Sequence, residues 1–275
     1  MARRLTARGI VLTVGGGYGL VLKREYIVQH GFRTRFADLP YTRSTNDVDC
    51  FLTADLISDG DATRAIREAL DNLGYKPVES AKYYQFARTI EYEAIRVEMK
   101  FDFLAPSVTD VDQVKSVKMD DRRIRPRSFD GFHAHSTPEA LTVGEMPTTV
   151  ELGSATEPAT VHLPNPFTYL ILKLHALADQ VNNPDKDNGR SHAFDIYTTI
   201  ALATEAEWSE MIRLRERYAA AKPLVRANEI RAELFGEPTS LGMVRLREYT
   251  QTAGIHLAPD RFDDLSSDLQ SILVE

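Results

Sequence analysis

A chain of 275 residues, 43% of them hydrophobic, can build one large core or two modest ones, which excludes an intrinsically disordered protein. A formal charge of −7 and a pI near 5.6 exclude a protein that coats nucleic acid non-specifically, although a local basic patch remains compatible with them. The single cysteine, Cys50, excludes an internal disulfide and a thiolate metal cluster.

The N-terminal Met1-Ala2-Arg3-Arg4 and the apolar stretch from Ile10 to Leu22 imitate a secretory leader, but Gly15, Gly16, Gly17 and Gly19 interrupt the run. No stretch reaches the roughly 18 apolar residues a membrane span needs. The expectation is a cytoplasmic protein with no membrane partner. Ile10–Val14 is an apolar run ending at glycines and predicts a buried strand. Tyr18–His30 has helical spacing, with Gly31 as its stop. Val48, Cys50 and Leu52 alternate with Asp47, Asp49 and Phe51, which predicts a half-buried strand with Cys50 on its core face. Asp61–Leu73 predicts a helix capped by Asp61, striped by Ile66, Leu70 and Leu73, and ended by Gly74.

Strands follow around Tyr75–Val78 and Tyr83–Thr89. Ile95, Val97, Met99, Phe101 and Phe103 then alternate with Arg96, Glu98, Lys100 and Asp102, the clearest strand pattern in the chain. Residues 107–163 read as further strands and loops, with turn signals at Asp130-Gly131, Pro138, Pro147 and Pro158. The composition changes at Pro164-Asn165-Pro166. From Phe167 the spacing is helical (Leu170, Leu174, Leu177; then Phe194, Tyr197, Ile200), and further helices are expected over 205–221, 223–235, 240–252 and 260–273. The expected organisation is an α/β half, 1–163, followed by a helical half, 164–275.

The chemistry concentrates in Arg43-Ser44-Thr45-Asn46-Asp47-Val48-Asp49. Asp47 and Asp49 occupy alternate strand positions and therefore share a face. Paired carboxylates repel, a divalent cation relieves that repulsion, and hard oxygen ligands suit Mg²⁺, with Mn²⁺ as an alternative. The glycines after the first strand let backbone N–H groups approach an anion. Together these features point to a nucleoside triphosphate held with its metal. Asp102, on the face of a second strand, is the candidate third carboxylate, with Glu98 as runner-up. Arg122, Arg123, Arg125 and Arg127 form the one local basic cluster and are candidates for contacts to an RNA backbone, with Lys115 and Lys118 extending it. The histidines have no zinc-site spacing.

Two motifs carry a resemblance. Gly16-Gly17-Tyr18-Gly19-Leu20 followed by Arg43-Ser44-Thr45-Asn46-Asp47-Val48-Asp49 resembles the signature of the nucleotidyltransferase superfamily. Lys173-Leu174-His175-Ala176-Leu177-Ala178, then Arg190-Ser191-His192-Ala193-Phe194-Asp195-Ile196-Tyr197, resembles the C-terminal motifs of the AbiEii/AbiGii-type toxins, including the MenT-like toxins of type IV toxin–antitoxin systems. The resemblance covers about residues 10 to 200. It implies an α+β fold: a polymerase-beta-like mixed sheet with flanking helices, then a helical bundle completing the cleft. Asp47, Asp49 and Asp102 would be the catalytic metal ligands, serving two-metal phosphoryl transfer. Gly16, Gly17, Arg43, Thr45, Lys173 and Arg190 would bind the nucleotide, and Asp195 would orient Lys173 or shape the site.

The implied activity is Mg²⁺-dependent transfer of nucleotides from a nucleoside triphosphate to the 3′ end of tRNA, by a toxin with a small cognate antitoxin. Other readings of the same residues are transfer to a protein hydroxyl or to an aminoglycoside-like small molecule, a nucleotide-binding module without catalysis, and a non-enzymatic interaction protein.

Overall fold

The computed structural model describes residues 1–274 other than Ser44, 93–94, 109–114, Asp121, 128–131 and Ala155. The expected Asp130-Gly131 turn lies outside the described residues. The chain forms two compact units, Met1–Leu22 with Ser44–Pro164 and Lys23–Arg43 with Asn165–Glu275. Residues 23–43, which the linear reading leaves in the α/β half, thus pack with the helical unit. Among the described residues no helix is long and apolar enough to cross a membrane.

The first unit is a ten-stranded mixed sheet with short helices. Its strands are β1 (Leu12–Gly15), β2 (Asp47–Phe51), β3 (Lys76–Pro77), β4 (Gln85–Tyr92), β5 (Ile95–Ala105), β6 (Val117–Asp120), β7 (Arg123–Pro126), β8 (Ala134–Ser136), β9 (Thr148–Ser154) and β10 (Glu157–Leu163). They run β6-β7-β8-β5-β2-β1-β10-β9, with β4 paired to β5 and β3 to β4. The pairs β1–β10, β2–β5 and β5–β8 are parallel, and the others are antiparallel. The site strands β1, β2 and β5 are therefore central. Central position explains why Val48, Cys50 and Phe51 are all buried.

Phe51 departs from the expected alternation. Gly15 is the cause: a Cβ there would lie 2.5 Å from the Phe51 ring, so the missing side chain makes room for it. β5 departs at its other end, where Ile95 is 63% exposed, because β2 pairs only with Lys100–Leu104 and residues 95–99 have β4 alone beside them. Pro158 lies inside β10 rather than in a turn, at a position where β9 pairs but β1 does not.

Among the described residues, α1 (Ala2–Thr6), α3 (Ala54–Ser58) and α4 (Gly60–Asn72) belong wholly to this unit, and α2 (Gly16–His30) starts here. The cap of α4 is Asp59 rather than Asp61: its carboxylate accepts from the N–H groups of Asp61 and Ala62 at 2.9 and 3.0 Å. Asp61 instead sits in the first turn, where a negative charge opposes the helix dipole. Ala62, Ala65, Ile66, Ala69 and Leu70 bury the inner face, and Gly74 follows at φ +79°.

The helical unit is built around α5 (Pro166–Gln180) and α6 (Arg190–Ala201), with α7 (Glu205–Arg217), α8 (Lys222–Phe235), α9 (Leu241–Thr252) and α10 (Asp260–Leu273) packed about them. Asn165 caps α5 by accepting from the Thr168 N–H at 2.9 Å, and Pro166 occupies the first turn, where its missing N–H costs nothing. Thr204 and Glu207 form a reciprocal capping box on α7. Leu170, Ile171, Leu174 and Leu177 are fully buried, so one stripe of α5 forms the centre of this core. Residues 23–43 are tied in by the Arg35 N–H bond to the Ala203 carbonyl (2.8 Å) and a two-bond pairing of Arg35 with Asp268 (2.9 and 2.8 Å).

Candidate active site

In the sheet unit, register assembles the carboxylates. Parallel pairing sets Asp47 beside Lys100 and Asp49 beside Asp102. Neighbouring strands lie about 4.8 Å apart and partnered residues point to the same face, so Asp49 and Asp102 stand side by side. β1 closes the other flank, with Gly15 partnered to Asp49. Gly16 then turns into α2 at φ +63°, and a Cβ on it would lie 2.2 Å from Asp49 Oδ2. The Asp49 carboxylate therefore lies against the backbone at the N-terminus of α2, where the helix dipole favours negative charge. Glycine at positions 15 and 16 admits Phe51 and Asp49. Gly17 lies in the first turn of α2.

The electrostatics follow from the crowding. Burial, and then the charges of Asp49 and Asp47, push Asp102 up to about 6, against a hydrogen bond from Gln85 Nε2 (2.6 Å) that lowers it. Lys100 is raised by its hydrogen bond with Glu98 (3.1 Å) and by the charges of Glu98, Asp47 and Asp102. Cys50, fully buried, is raised by burial and by Asp49 and Asp102. Thr45 accepts from the Asp47 N–H at 3.2 Å and so shapes the entry to β2.

A divalent cation suits this donor set chemically: the ligands are hard oxygens, and burial together with their mutual repulsion raises Asp102. Asp47, Asp49 and Asp102 would hold it. No three or more His, Cys, Asp or Glu side chains are grouped to hold a metal among the described residues, so these carboxylates are neighbours rather than a closed cage.

In the helical unit, α5 and α6 place Lys173 and Asp195 together, with Lys173 Nζ 2.7 Å from Asp195 Oδ2. Arg43 grips the same carboxylate with two bonds, Nε to Oδ1 at 2.9 Å and Nη2 to Oδ2 at 3.1 Å. Asp195 is 1% and Lys173 7% exposed. Burial alone would raise Asp195, but the charges and hydrogen bonds of Lys173 and Arg43 hold it below the usual carboxylate range. His192, one turn before Asp195, is pushed down to about 3 by burial and by Lys173 and Arg43. Its Nδ1 is buried with no hydrogen-bond partner among the described residues. Arg190 is engaged in its own turn, donating to the Asp187 carboxylate (Nε to Oδ1, 2.8 Å).

The basic cluster is dispersed among internal partners. Arg125 donates to Asp120 (2.5 Å) and Arg127 to the Val117 carbonyl (3.0 Å), both holding the β6–β7 hairpin. Arg123 lies over the Tyr83 ring at 5.6 Å, and Arg122 is exposed. Gln85, Lys100 and His192 are neighbours that sequence reasoning passed over. Strand parity places Lys100 on the face of Asp102, but nothing local pairs it with Asp47. No protein-family model, curated protein or solved structure matches this chain.

Proposed function

We propose that this chain is a Mg²⁺-dependent nucleotidyltransferase that transfers a nucleoside monophosphate from a nucleoside triphosphate to the 3′ end of tRNA. The observation that carries the reading is the side-by-side placement of Asp49 and Asp102 on the face that also bears Asp47. In the reaction, the acceptor hydroxyl oxygen bonds to the α-phosphorus and the bond from that phosphorus to pyrophosphate breaks. The proton of the hydroxyl passes to Asp102, the carboxylate that stands beside Asp49. A bound divalent cation would neutralise phosphate charge and acidify the hydroxyl. Lys100 offers a cation beside the carboxylates. In the helical unit, Lys173 and Arg43 bring two cationic side chains to the one carboxylate of Asp195, and both carry donors suited to a phosphate. The toxin assignment and its antitoxin rest on the sequence resemblance.

The test is incubation with total tRNA, Mg²⁺ and each α-labelled nucleoside triphosphate in turn. Label on tRNA that disappears in Asp49→Ala supports the proposal. Label on a protein or small molecule moves the acceptor elsewhere, and full transfer by Asp47→Ala and Asp49→Ala together overturns the site.

A further inference from the structure

The helical unit holds a cavity of about 360 Å³ whose lining includes Arg231, Met243, Phe262, Asp263, Ser267 and Gln270. That volume is at the lower end of small-molecule sites, which run from about 300 to 1,000 Å³. Its apolar lining includes the buried Met243 and the half-buried Phe262. Its walls are polar.

Arg231 distinguishes the cavity from a surface dimple. Two arginines on the neighbouring helix have acceptors of their own: Arg245 donates to Glu248 and the Val181 carbonyl, and Arg247 to the Pro238 carbonyl. Arg231 donates one bond, Nη2 to Asn228 Oδ1 at 3.1 Å, and has no carboxylate within ion-pair distance among the described residues. Its Nε is buried without a partner among the described residues, as is the Nε of Arg215. A guanidinium presents a planar fork of donors that fits a carboxylate or phosphate, and a buried donor left unmade is costly. Burial lowers the Arg231 pKa. Ser267 and Gln270 add neutral donors on the α10 wall. The Ser266 hydroxyl is already given to the Phe235 carbonyl (3.0 Å), so it shapes the wall rather than binding. Asp263 is exposed, and its negative charge disfavours a ligand with more than one anionic group near it.

We propose that this cavity binds a small organic molecule with a single oxyanion head, a carboxylate or phosphate monoester, seated on Arg231 with its carbon body on Met243 and Phe262. The site lies wholly within the helical unit and is independent of the transferase reading.

The experiment follows the Arg231 Nε–Hε resonance of the full chain by NMR during titration with butyrate, glycerol 3-phosphate, inorganic phosphate and butylammonium. The expected result is a saturable shift with butyrate or glycerol 3-phosphate, and which of the two binds more tightly identifies the head group. Inorganic phosphate should bind more weakly because it lacks a body, and butylammonium should not bind. Binding measured by calorimetry should fall at least about tenfold in Arg231→Gln, the scale of one charge-assisted hydrogen bond, with partial recovery in Arg231→Lys. Ser267→Leu, at an exposed position, should narrow the cavity without touching the core and weaken binding similarly. Equal response to butyrate and butylammonium would overturn the proposal, as would unchanged affinity in Arg231→Gln and Ser267→Leu.

Discussion

Replacing Gly16 by alanine tests how the carboxylate face is built. Two costs arise. Residue 16 sits at φ +63°, where an L side chain is strained by about 1–2 kcal/mol. The new Cβ would also stand 2.2 Å from Asp49 Oδ2, more than 1 Å inside an ordinary contact of about 3.4 Å. Either the β1–α2 turn shifts or the Asp49 carboxylate leaves its place at the helix N-terminus, which adds about 1–2 kcal/mol. The total expected is about 3 kcal/mol. Gly31→Ala is the control: φ is +66° and nothing lies within 4 Å of the added Cβ, so it carries the conformational cost alone. Urea denaturation should therefore destabilise Gly16→Ala more than Gly31→Ala by at least about 1 kcal/mol, read on the transition of the unit each residue belongs to. In Gly16→Ala/Asp49→Ala the clash disappears, so the two changes should fall short of additivity by about 1 kcal/mol. Equal costs for the two glycines, together with full additivity in the pair, would refute the packing of Asp49 against Gly16.

The remaining predictions concern charge. Asp102 is raised in the folded state from 3.8 to about 6, so the folded protein holds a proton that the unfolded chain gives up. Stability should therefore fall as pH rises through the window from about 4 to 6 and level off above it; Asp102→Asn should flatten that slope, stabilise the sheet unit by about 2 kcal/mol at pH 7, and abolish transfer. A pH series of denaturation curves with an unchanged slope in Asp102→Asn would contradict the assignment. Asp195→Ala leaves Arg43 and Lys173 around an empty position; because Lys173 is 8% exposed on its side chain, the helical unit should lose about 3–5 kcal/mol in chemical denaturation. A loss under about 1 kcal/mol would mean that solvent already reaches the pair.

Much of this molecule is legible residue by residue. Alternation along 47–52 and 95–103 is enough to define β2 and β5, because side chains on a strand switch faces every residue and the core selects one face. The four C-terminal helices fall close to their expected spans, because each carries its own apolar stripe and its own end signals. Glycine at 31 and 74 marks helix ends through φ, which is a local property. Cys50 is buried for the same reason as Val48, its parity on β2. The change of composition at Pro164 marks the border between sheet and helices, since Pro166 and Asn165 are a helix start in themselves.

Tertiary structure decided the rest. Parity puts Asp49 and Asp102 each on a face but cannot set them beside each other; that required the parallel register of β2 on β5, which depends on the whole sheet. Likewise Gly16 is intelligible only once Asp49 arrives against it. The cap of α4 fell to Asp59 because the chain enters the helix two residues earlier than its apolar stripe suggests. Residues 23–43 begin within α2, a helix that starts in the sheet unit, yet they pack with partners far along the chain, as when Arg43 meets Asp195 at a separation of 152 residues. The resemblance singles out Lys173 and Asp195, but the arrival of Arg43 on that same carboxylate appears only in the fold. Sequence fixes what depends on neighbours a few residues away; adjacency across the fold, and the pKa of Asp102 that follows from it, exist only when the chain is closed on itself.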